Sequence, residues 1–421
     1  MATAPTKPRL LVIKGGGGGP IGSICASLST IAEVVLVNVA TGKSWLEANS
    51  ESARKALDGK GELIHVSDPE SARAVILETV ARNPVDGIFT PSERLLEFTA
   101  DLAQELGLPH ASPEVVRTTR DKFAQRAALM AGGVPCPKFA RVRNLEDLED
   151  AITAVPMPVV IKPEKGAGGI DTYQVETAED LRKVYGIAVE HLGALGRGEP
   201  EFIVEELLQG VVWHEGEGWG DYGSVESFIL DGEIMHACIT DKTPLALPFR
   251  ETGSIIPSSL PAHRMQEAYD CATAAIRALG ITRGVTHTEI KYTPDGPRII
   301  EVNLRLGGHL AFLSKHGIVD DVIVQAALVA LGQRPAAPLR FRNYIAFLLP
   351  TPPQTEQPTH VHGIEKIPAI PHVHEMIVNH AKTYDWRLGE HGDPAIVIAA
   401  ADTPEKLIEV RRVMMETLIF D

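Results

Sequence analysis

The stretch from Thr286 to Gly308 reads THTEIKYTPDGPRIIEVNLRLGG. Two apolar runs flank Pro294-Asp295-Gly296, a pattern that predicts a β-hairpin. In that hairpin Glu289 lies nearly opposite Glu301, and Asn303 lies two residues further along the same face. Oxygen donors grouped in this way suit Mg²⁺, which shares its coordination shell with phosphates. The hairpin therefore predicts a metal site.

Arg305 continues the same strand parity beyond Asn303, which places a fixed positive charge beside the predicted metal. A guanidinium there could stabilise charge on a transferred phosphoryl group or on a tetrahedral intermediate. An acidic pair in a hairpin, taken alone, is more simply explained as a solvated cross-strand contact. The functional interpretation therefore depends on the other motifs in the chain.

Four further segments indicate a nucleotide site. Lys162 ends the apolar strand that begins at Pro158, where a buried charge needs an anionic partner such as a phosphate. The glycine loop after it, Lys165 to Ile170, can bring backbone N–H groups close to phosphates. Asp121-Lys122 stands at the head of a helix, and the strand from Ile203 to Leu208 runs into acidic residues suited to an adenine edge and a ribose.

Composition narrows the class of protein. The 421 residues are 44% apolar and 23% charged, which is typical of a globular enzyme. A net charge of −15 without a basic stripe argues against a nucleic-acid partner. No apolar run is long enough to span a bilayer, the N-terminus lacks a secretory pattern, and the four cysteines never show C-x-x-C spacing. We therefore expect a cytoplasmic enzyme without membrane contact and with reduced thiols.

A glycine run, Gly15 to Gly19, follows the first predicted strand and extends to Gly22 as a G-x-G-x-x-G motif. Dinucleotide-binding proteins place an acidic residue about 20 positions later to hold a ribose. Asn38 and Val39 stand there instead, which disfavours NAD binding. The run is interpreted either as a tight turn or as a loop that contacts a substrate carboxylate.

The order of predicted elements indicates an α/β protein with four parts. Alternating strands and helices over residues 1–118 predict a Rossmann-like subdomain with a parallel sheet. Residues 119–210 predict a small α+β lobe, and residues 211–335 predict a larger, mostly antiparallel lobe that holds the metal site. Short strands and a final helix over residues 336–421 predict a C-terminal subdomain that caps the rest.

These motifs, in this order, resemble the ATP-grasp superfamily of ligases. The resemblance rests on Asp121-Lys122, Ala131–Phe139, Val159–Pro163, Glu205-Glu206, His287–Lys291 and Ile300–Gly308. Within the superfamily, the hairpin segments are most similar to the L-amino-acid ligases, which make dipeptides. The resemblance implies an ATP-grasp fold with two lobes that grip the nucleotide. Together with the glycine loop it predicts ATP-binding residues Lys122, Lys162, Lys165, Gly166, Gly168, Gly169, Glu205, Glu206 and Leu208, and metal ligands Glu289, Glu301 and Asn303.

The resemblance also implies roles for the reacting groups. Arg305 would hold the acyl-phosphate region, and Glu251 would orient or deprotonate the amino substrate. An ordinary loop carboxylate is the alternative interpretation of Glu251. The residues expected to line the substrate pocket are Glu93, Glu251, His287, Arg305, Gly307, Gly308 and His309.

The implied reaction joins a carboxylate to an amine through an acyl-phosphate, consumes ATP with Mg²⁺ or Mn²⁺, and releases ADP and phosphate. The expected substrates are amino acids, or an amino acid and a related small acid, and the resemblance implies a homodimer. Two alternatives remain: an ATP-dependent carboxylase of the biotin-carboxylase-like branch, and a non-catalytic ATP sensor.

Two features lie outside this pattern. Val211 to Tyr222 (VVWHEGEGWGDY) intervenes where the superfamily usually continues into the next strand, and it is interpreted either as a lid or as an exposed loop. The pairs His360/His362 and His372/His374 have H-x-H spacing, for which a surface or packing role is favoured over a metal.

Overall fold

A computed structural model of the chain describes residues 7–39, 51–59, 61–166, 168–194, 201–246, 249–351, 360–378 and 393–421. The strands are β1 Arg9–Lys14, β2 Glu33–Val39, β3 Glu62–Val66, β4 Gly87–Phe89, β5 Phe139–Val142, β6 Val159–Pro163, β7 Tyr173–Val175, β8 Phe202–Glu206, β9 Tyr222–Leu230, β10 Glu233–Lys242, β11 Gly253–Ile256, β12 Gly284–Thr293, β13 Gly296–Asn303, β14 Tyr344–Leu348, β15 Val361–His362, β16 Val373–Val378, β17 Ala395–Ala401 and β18 Ile419–Phe420.

The helices alternate with the strands only in the N-terminal sheet, and elsewhere several strands or several helices follow one another. The helices are α1 Ile21–Leu28, α2 over residues 51–57, α3 Pro69–Arg82, α4 Leu96–Leu106, α5 Pro113–Arg120, α6 Lys122–Ala131, α7 Leu145–Ala154, α8 Ala178–Ala194, α9 Ala262–Ala278, α10 Leu310–Leu313, α11 Val322–Ala330 and α12 Pro404–Thr417, with 3₁₀ turns at Glu93–Leu95 and Ile364–Ala369. Within the described ranges, no helix is both long and apolar enough to cross a membrane.

The N-terminal sheet is parallel, as the sequence predicts, with the strand order β3-β2-β1-β4. All six residues of β1 are buried, as expected for a central strand covered on both faces. The sequence interpretation missed β3. This strand lies at the edge of the sheet and every residue in it is only partly buried, so its pattern of apolar residues is weak.

The small lobe is a four-stranded antiparallel sheet with the order β5-β8-β6-β7. Helices α7 and α8 pack against it and enclose an apolar core that includes Leu148, Phe202 and Tyr185. The other face of the sheet is therefore left to form one wall of a cleft.

An eight-stranded antiparallel sheet forms the other wall, with the order β13-β12-β9-β10-β11-β14-β17-β16. Its β11–β14 pairing, in which Gly253 lies opposite Leu348, joins strands from either side of the boundary predicted near residue 335. Helix α12 packs on the C-terminal strands around Leu407 and Met414. One sheet therefore contains strands from two of the four predicted parts, and the division of the chain into four parts stays a prediction.

Residues 211–221, which we call the strap, lie between β8 and β9. Both tryptophans of the strap are buried, whereas Val211, Val212 and residues 215–217 are exposed. The ring of Trp213 stacks on Tyr292 with centroids 4.3 Å apart, and the Arg264 guanidinium lies 4.5 Å from the Trp213 centroid. His214 stacks on Trp219 at 4.4 Å, and Trp219 belongs to the core beneath α12. The two tryptophans anchor the strap to the protein, while residues 215–217 between them are exposed. Neither tryptophan lines the cleft that a lid would cover.

Replacing Trp213 with alanine is expected to destabilise the fold by about 3–5 kcal/mol, because the indole is 92% buried between Tyr292 and Arg264. Urea unfolding followed by circular dichroism would measure the loss. The control is Val212→Ala, since Val212 is 48% exposed and its truncation should cost less than about 0.5 kcal/mol. Equal unfolding midpoints for the two variants would show that the strap adds no stability.

Among the described residues, the cysteines and the H-x-H pairs belong to no group of three or more His, Cys, Asp or Glu side chains that could hold a metal ion. Cys25, Cys136, Cys238 and Cys271 are all unpaired. All four histidines of the two pairs are exposed, and His362 contacts the Asp421 carboxylate at 3.2 Å. These positions agree with a surface role for the pairs.

Candidate active site

A cleft of about 1110 Å³, including its open mouth, separates the small lobe from the large sheet. Strands β6 and β8 form one wall, and the hairpin β12–β13 forms the other. Predicted site residues that line the cleft are Lys122, Lys162, Gly166, Gly168, Gly169, Glu205, Glu206, Leu208, Glu251, Glu289 and Glu301. Predicted residues that are described but do not line it are Glu93, Lys165, His287, Asn303, Arg305, Gly307, Gly308 and His309.

Lys162 and Glu205 form a buried ion pair between neighbouring strands of the small lobe. The Lys162 Nζ lies 2.8 Å from Glu205 Oε2, and Arg126 Nε lies 2.8 Å from Glu205 Oε1. Burial lowers the pKa of Lys162, and the Glu205 carboxylate opposes that shift. Glu205 thus holds the lysine at the cleft. The sequence interpretation missed Arg126, although its position one helical turn after Lys122 was a signal that both share a face.

Lys122 connects the glycine loop to the hairpin. Asp121 caps helix α6 by accepting a hydrogen bond from Ala124 N at 2.9 Å, which fixes Lys122 in the first turn. The Lys122 Nζ lies 3.0 Å from Glu301 Oε1 and donates to the Gly166 carbonyl at 3.2 Å. The ammonium therefore stands between the two walls. Lys165, in contrast, is exposed.

The three predicted metal ligands meet on the hairpin. Glu289 and Glu301 are register partners, and Asn303 Nδ2 donates to Glu289 Oε1 at 3.4 Å. The glutamate side chains are 24% and 19% exposed, so both reach the cleft. No three His, Cys, Asp or Glu side chains gather around one point in the described residues. A hard cation fits this oxygen donor set if Asn303 and phosphate oxygens complete its coordination.

Glu226, which the sequence interpretation missed, is a buried carboxylate behind the hairpin. It accepts hydrogen bonds from His287 Nδ1 at 2.6 Å and from Ser224 Oγ at 2.9 Å. Burial lowers the pKa of His287, but the Glu226 carboxylate outweighs it and raises that pKa to about 9. His287 Nε2 lies 3.4 Å from Glu289 Oε1, so the pair orients a predicted metal ligand. The available signal was an acidic residue in the middle of a predicted strand, flanked by Val225 and Ser227.

Arg305 and Glu93 form an ion pair that joins the N-terminal subdomain to the end of the hairpin. Arg305 Nε lies 2.6 Å from Glu93 Oε2, and Glu93 belongs to the 3₁₀ turn after β4. Arg120 Nε lies 3.6 Å from the other oxygen of Glu93. Two residues that were predicted separately, one as catalytic and one for the pocket, are thus in direct contact.

Glu251 is paired with a lysine that the sequence interpretation missed. The Nζ of buried Lys242 lies 2.5 Å from Glu251 Oε1. His309 is buried nearby, and its Nε2 lies 3.1 Å from the Thr240 hydroxyl. Burial, followed by the charge of Lys242, holds the pKa of His309 well below its usual value. Position 307 has no room for a larger residue than glycine, because a Cβ there would lie 2.7 Å from the His309 ring.

Comparison with known proteins adds family matches to this geometry. The model of the ATP-grasp domain matches residues 155–312, and the model of the ATP-grasp N-terminal domain matches residues 32–110. Carnosine synthase 1 of Homo sapiens is 32% identical over 304 residues, which cover 66% of this chain and 35% of that protein. Alanine–anticapsin ligase of Bacillus subtilis is 32% identical over 234 residues, which cover 54% of this chain and 49% of that protein. The matches thus span about a third to a half of these relatives.

A solved structure covers the chain more completely. The crystal structure of L-amino acid ligase from Bacillus licheniformis matches 99% of this chain and 100% of that chain, with a TM-score of 0.74 and 20% identity. At this identity the match establishes the fold alone, and together with the match to the ATP-grasp domain model it confirms the predicted ATP-grasp α/β architecture.

Proposed function

Because the chain belongs to the ATP-grasp superfamily, we propose that it is a ligase that joins a carboxylate to an amine at the expense of ATP. The observation that supports this most directly is the cleft. Lys122 and Lys162 line it together with the glycine loop and with the acidic residues of the hairpin. Relatives named as a carnosine synthase, an alanine–anticapsin ligase and an L-amino acid ligase favour amino acids as substrates. The products are an amide, ADP and phosphate.

In the first step, an oxygen of the substrate carboxylate attacks the γ-phosphorus of ATP. The bond to the β,γ-bridging oxygen breaks, ADP leaves, and an acyl-phosphate forms. Lys122 and Lys162 place positive charge beside the phosphates. Glu289, Glu301 and Asn303 would hold Mg²⁺, which supplies neutralisation of phosphate charge.

In the second step, the amine attacks the carbonyl carbon of the acyl-phosphate. The bond between that carbon and the phosphate oxygen then breaks, and the leaving phosphate takes up the proton that the amine nitrogen loses. Arg305 stabilises the negative charge that develops on the tetrahedral oxygen. Glu251, held by Lys242 at 2.5 Å, accepts a hydrogen bond from the amine and orients it. Water must be excluded from the site, because it would hydrolyse the intermediate.

The proposal also includes the compartment and the oligomeric state of the enzyme. The unpaired cysteines fit a reducing compartment, so we place the enzyme in the cytoplasm, where ATP and amino acids are available. A homodimer is proposed from the resemblance to the L-amino-acid ligases.

Phosphate release from ATP and Mg²⁺ is the first measurement, with amino acids supplied singly and in pairs and bicarbonate in a separate arm. Release that requires two amino acids, with an amide detected by mass spectrometry, is the expected result. Release only with bicarbonate would indicate a carboxylase. Tight ATP binding without turnover in any arm would indicate a nucleotide sensor.

A further inference from the structure

The glycine loop between β6 and β7 is bounded at both ends by buried carboxylates. At its start, Glu164 is 1% exposed and accepts hydrogen bonds from Arg141 Nε at 2.6 Å and from Arg141 Nη2 at 2.9 Å. The Glu164 carbonyl also accepts from Lys122 N at 3.1 Å, which ties this end to helix α6. At the other end stands Asp171, to which the sequence analysis assigns no role.

Asp171 has an unusual backbone conformation and a buried side chain. Its φ angle is +52°, in the left-handed region that glycine adopts without strain. Its side chain is 2% exposed, and Oδ1 accepts hydrogen bonds from His191 Nδ1 at 2.7 Å and Tyr173 OH at 3.1 Å. Its Oδ2 is buried without a hydrogen-bond partner among the described residues.

A turn alone does not account for aspartate at this position. Glycine would adopt the same φ angle without strain and would avoid the burial of a carboxylate with one unpaired oxygen. The contacts of Asp171 instead connect the end of the loop to helix α8, through His191, and to strand β7, through Tyr173. A carboxylate with two such donors fixes a backbone position more firmly than a glycine does.

The residues fixed in this way line the cleft. Gly168 and Gly169 both have φ angles of +69°, and with Ile170 they form the cleft wall immediately before Asp171. A Cβ on Gly169 would lie 3.3 Å from the Phe249 carbonyl, so the loop also touches the segment that contains Glu251. Asp171 itself does not line the cleft, and any effect on a ligand must pass through the loop.

We propose that Asp171, held by His191 and Tyr173, is a positioning residue that fixes the end of the glycine loop and sets the affinity for the triphosphate part of the nucleotide. This inference rests on the proposed function, because it assumes that phosphates bind at the loop. It assigns no catalytic role to Asp171. The backbone N–H groups of Gly168, Gly169 and Ile170 are the groups that Asp171 would position.

The test compares two nucleotides that share adenosine and differ in their phosphates. Calorimetry would measure the Kd of a non-hydrolysable ATP analogue and of AMP, each with Mg²⁺, for the wild type and for Asp171→Gly and Asp171→Asn. Asp171→Gly allows the same φ angle but removes the anchor. We expect its Kd for the ATP analogue to rise by about tenfold, as for the loss of a charge-assisted hydrogen bond. Its Kd for AMP should change less than about twofold.

Two further variants test the anchor itself. Asp171→Asn tolerates the left-handed conformation and still accepts hydrogen bonds, so it should keep affinity within about threefold of the wild type. His191→Gln should weaken the ATP analogue selectively, in the same direction as Asp171→Gly. The matched control is Glu190→Gln, an exposed neighbour on α8, which should change neither Kd.

Two outcomes would overturn the inference. One is an unchanged Kd for the ATP analogue in Asp171→Gly. The other is an equal loss of affinity for AMP, which would indicate general damage to the lobe. A wild-type protein that fails to bind the ATP analogue at all would overturn the proposed function, and the inference with it. Thermal midpoints identify any variant that does not fold. If Asp171→Gly does not fold, the inference is tested by the Kd values of His191→Gln for the ATP analogue and for AMP.

Discussion

Arg305→Ala is expected to lower the turnover number for amide formation by about 10³-fold and to change the Kd of a non-hydrolysable ATP analogue by less than about threefold. The guanidinium follows the predicted metal ligands on the hairpin, and it is 17% exposed. Its charge is needed where the tetrahedral oxygen becomes negative, so its loss affects the transition state more than the bound nucleotide. Single-turnover formation of ADP and of the amide would separate the two steps.

The fold should survive this change, because Glu93 keeps a second cationic neighbour in Arg120 at 3.6 Å. Arg305→Lys should recover part of the activity, since it retains charge but loses the planar fork. The matched control is Arg334→Ala, which removes an exposed arginine paired with Glu233 at 2.7 Å. Wild-type turnover in Arg305→Ala would refute the assignment of this residue.

Glu301→Ala is expected to reduce ATP turnover by about 10³-fold and Mn²⁺ affinity by about 10–100-fold. Glu301 is the register partner of Glu289 and also lies 3.0 Å from the Lys122 ammonium. Its removal takes away a metal ligand and the carboxylate that holds the lysine. Electron paramagnetic resonance of bound Mn²⁺ would measure the metal directly, without reliance on activity.

The control for this variant is Asp295→Ala, which removes an exposed carboxylate from the turn of the same hairpin. It should leave Mn²⁺ binding and turnover unchanged. Glu301→Asp retains a carboxylate at a shorter reach and should bind Mn²⁺ with intermediate affinity. Equal Mn²⁺ binding in Glu301→Ala and the wild type would move the metal site away from this hairpin.

Local patterns in the sequence predicted the hairpin and three of the four strands of the N-terminal sheet. The Pro294-Asp295-Gly296 turn sets the register of the residues next to it, with Thr293 opposite Gly296. Spacing alone would place Glu289 opposite Ile300, and a bulge between Glu289 and Ile290 shifts the register by one residue, so that Glu289 pairs with Glu301. The buried parallel strand β1 was also predicted from local sequence, because its run of apolar residues is continuous. These features depend on residues that are close in sequence.

Contacts between residues that are distant in sequence were not predicted, and neither were the partners Arg126 and Glu226. Arg126 and Lys162 meet at Glu205 only because α6, β6 and β8 come together in space. The role of Glu226 depends on its contact with His287, which is 61 residues away in sequence and lies on the neighbouring strand β12. Helical periodicity places Arg126 on the same face as Lys122, but the contact of Arg126 with Glu205 is set by tertiary packing, for which a single sequence contains no signal.

The position of β11 in the large sheet has a consequence for synthesis of the chain on the ribosome. Its partner on one side, β10, precedes it closely, whereas its partner on the other side, β14, begins only at Tyr344. At roughly 5–20 residues per second, the outer edge of β11 waits on the order of ten seconds for that partner. During this interval the nascent chain presents an unpaired strand edge, which is open to pairing with other chains. The C-terminal segment therefore protects the growing protein from association as well as completing its sheet.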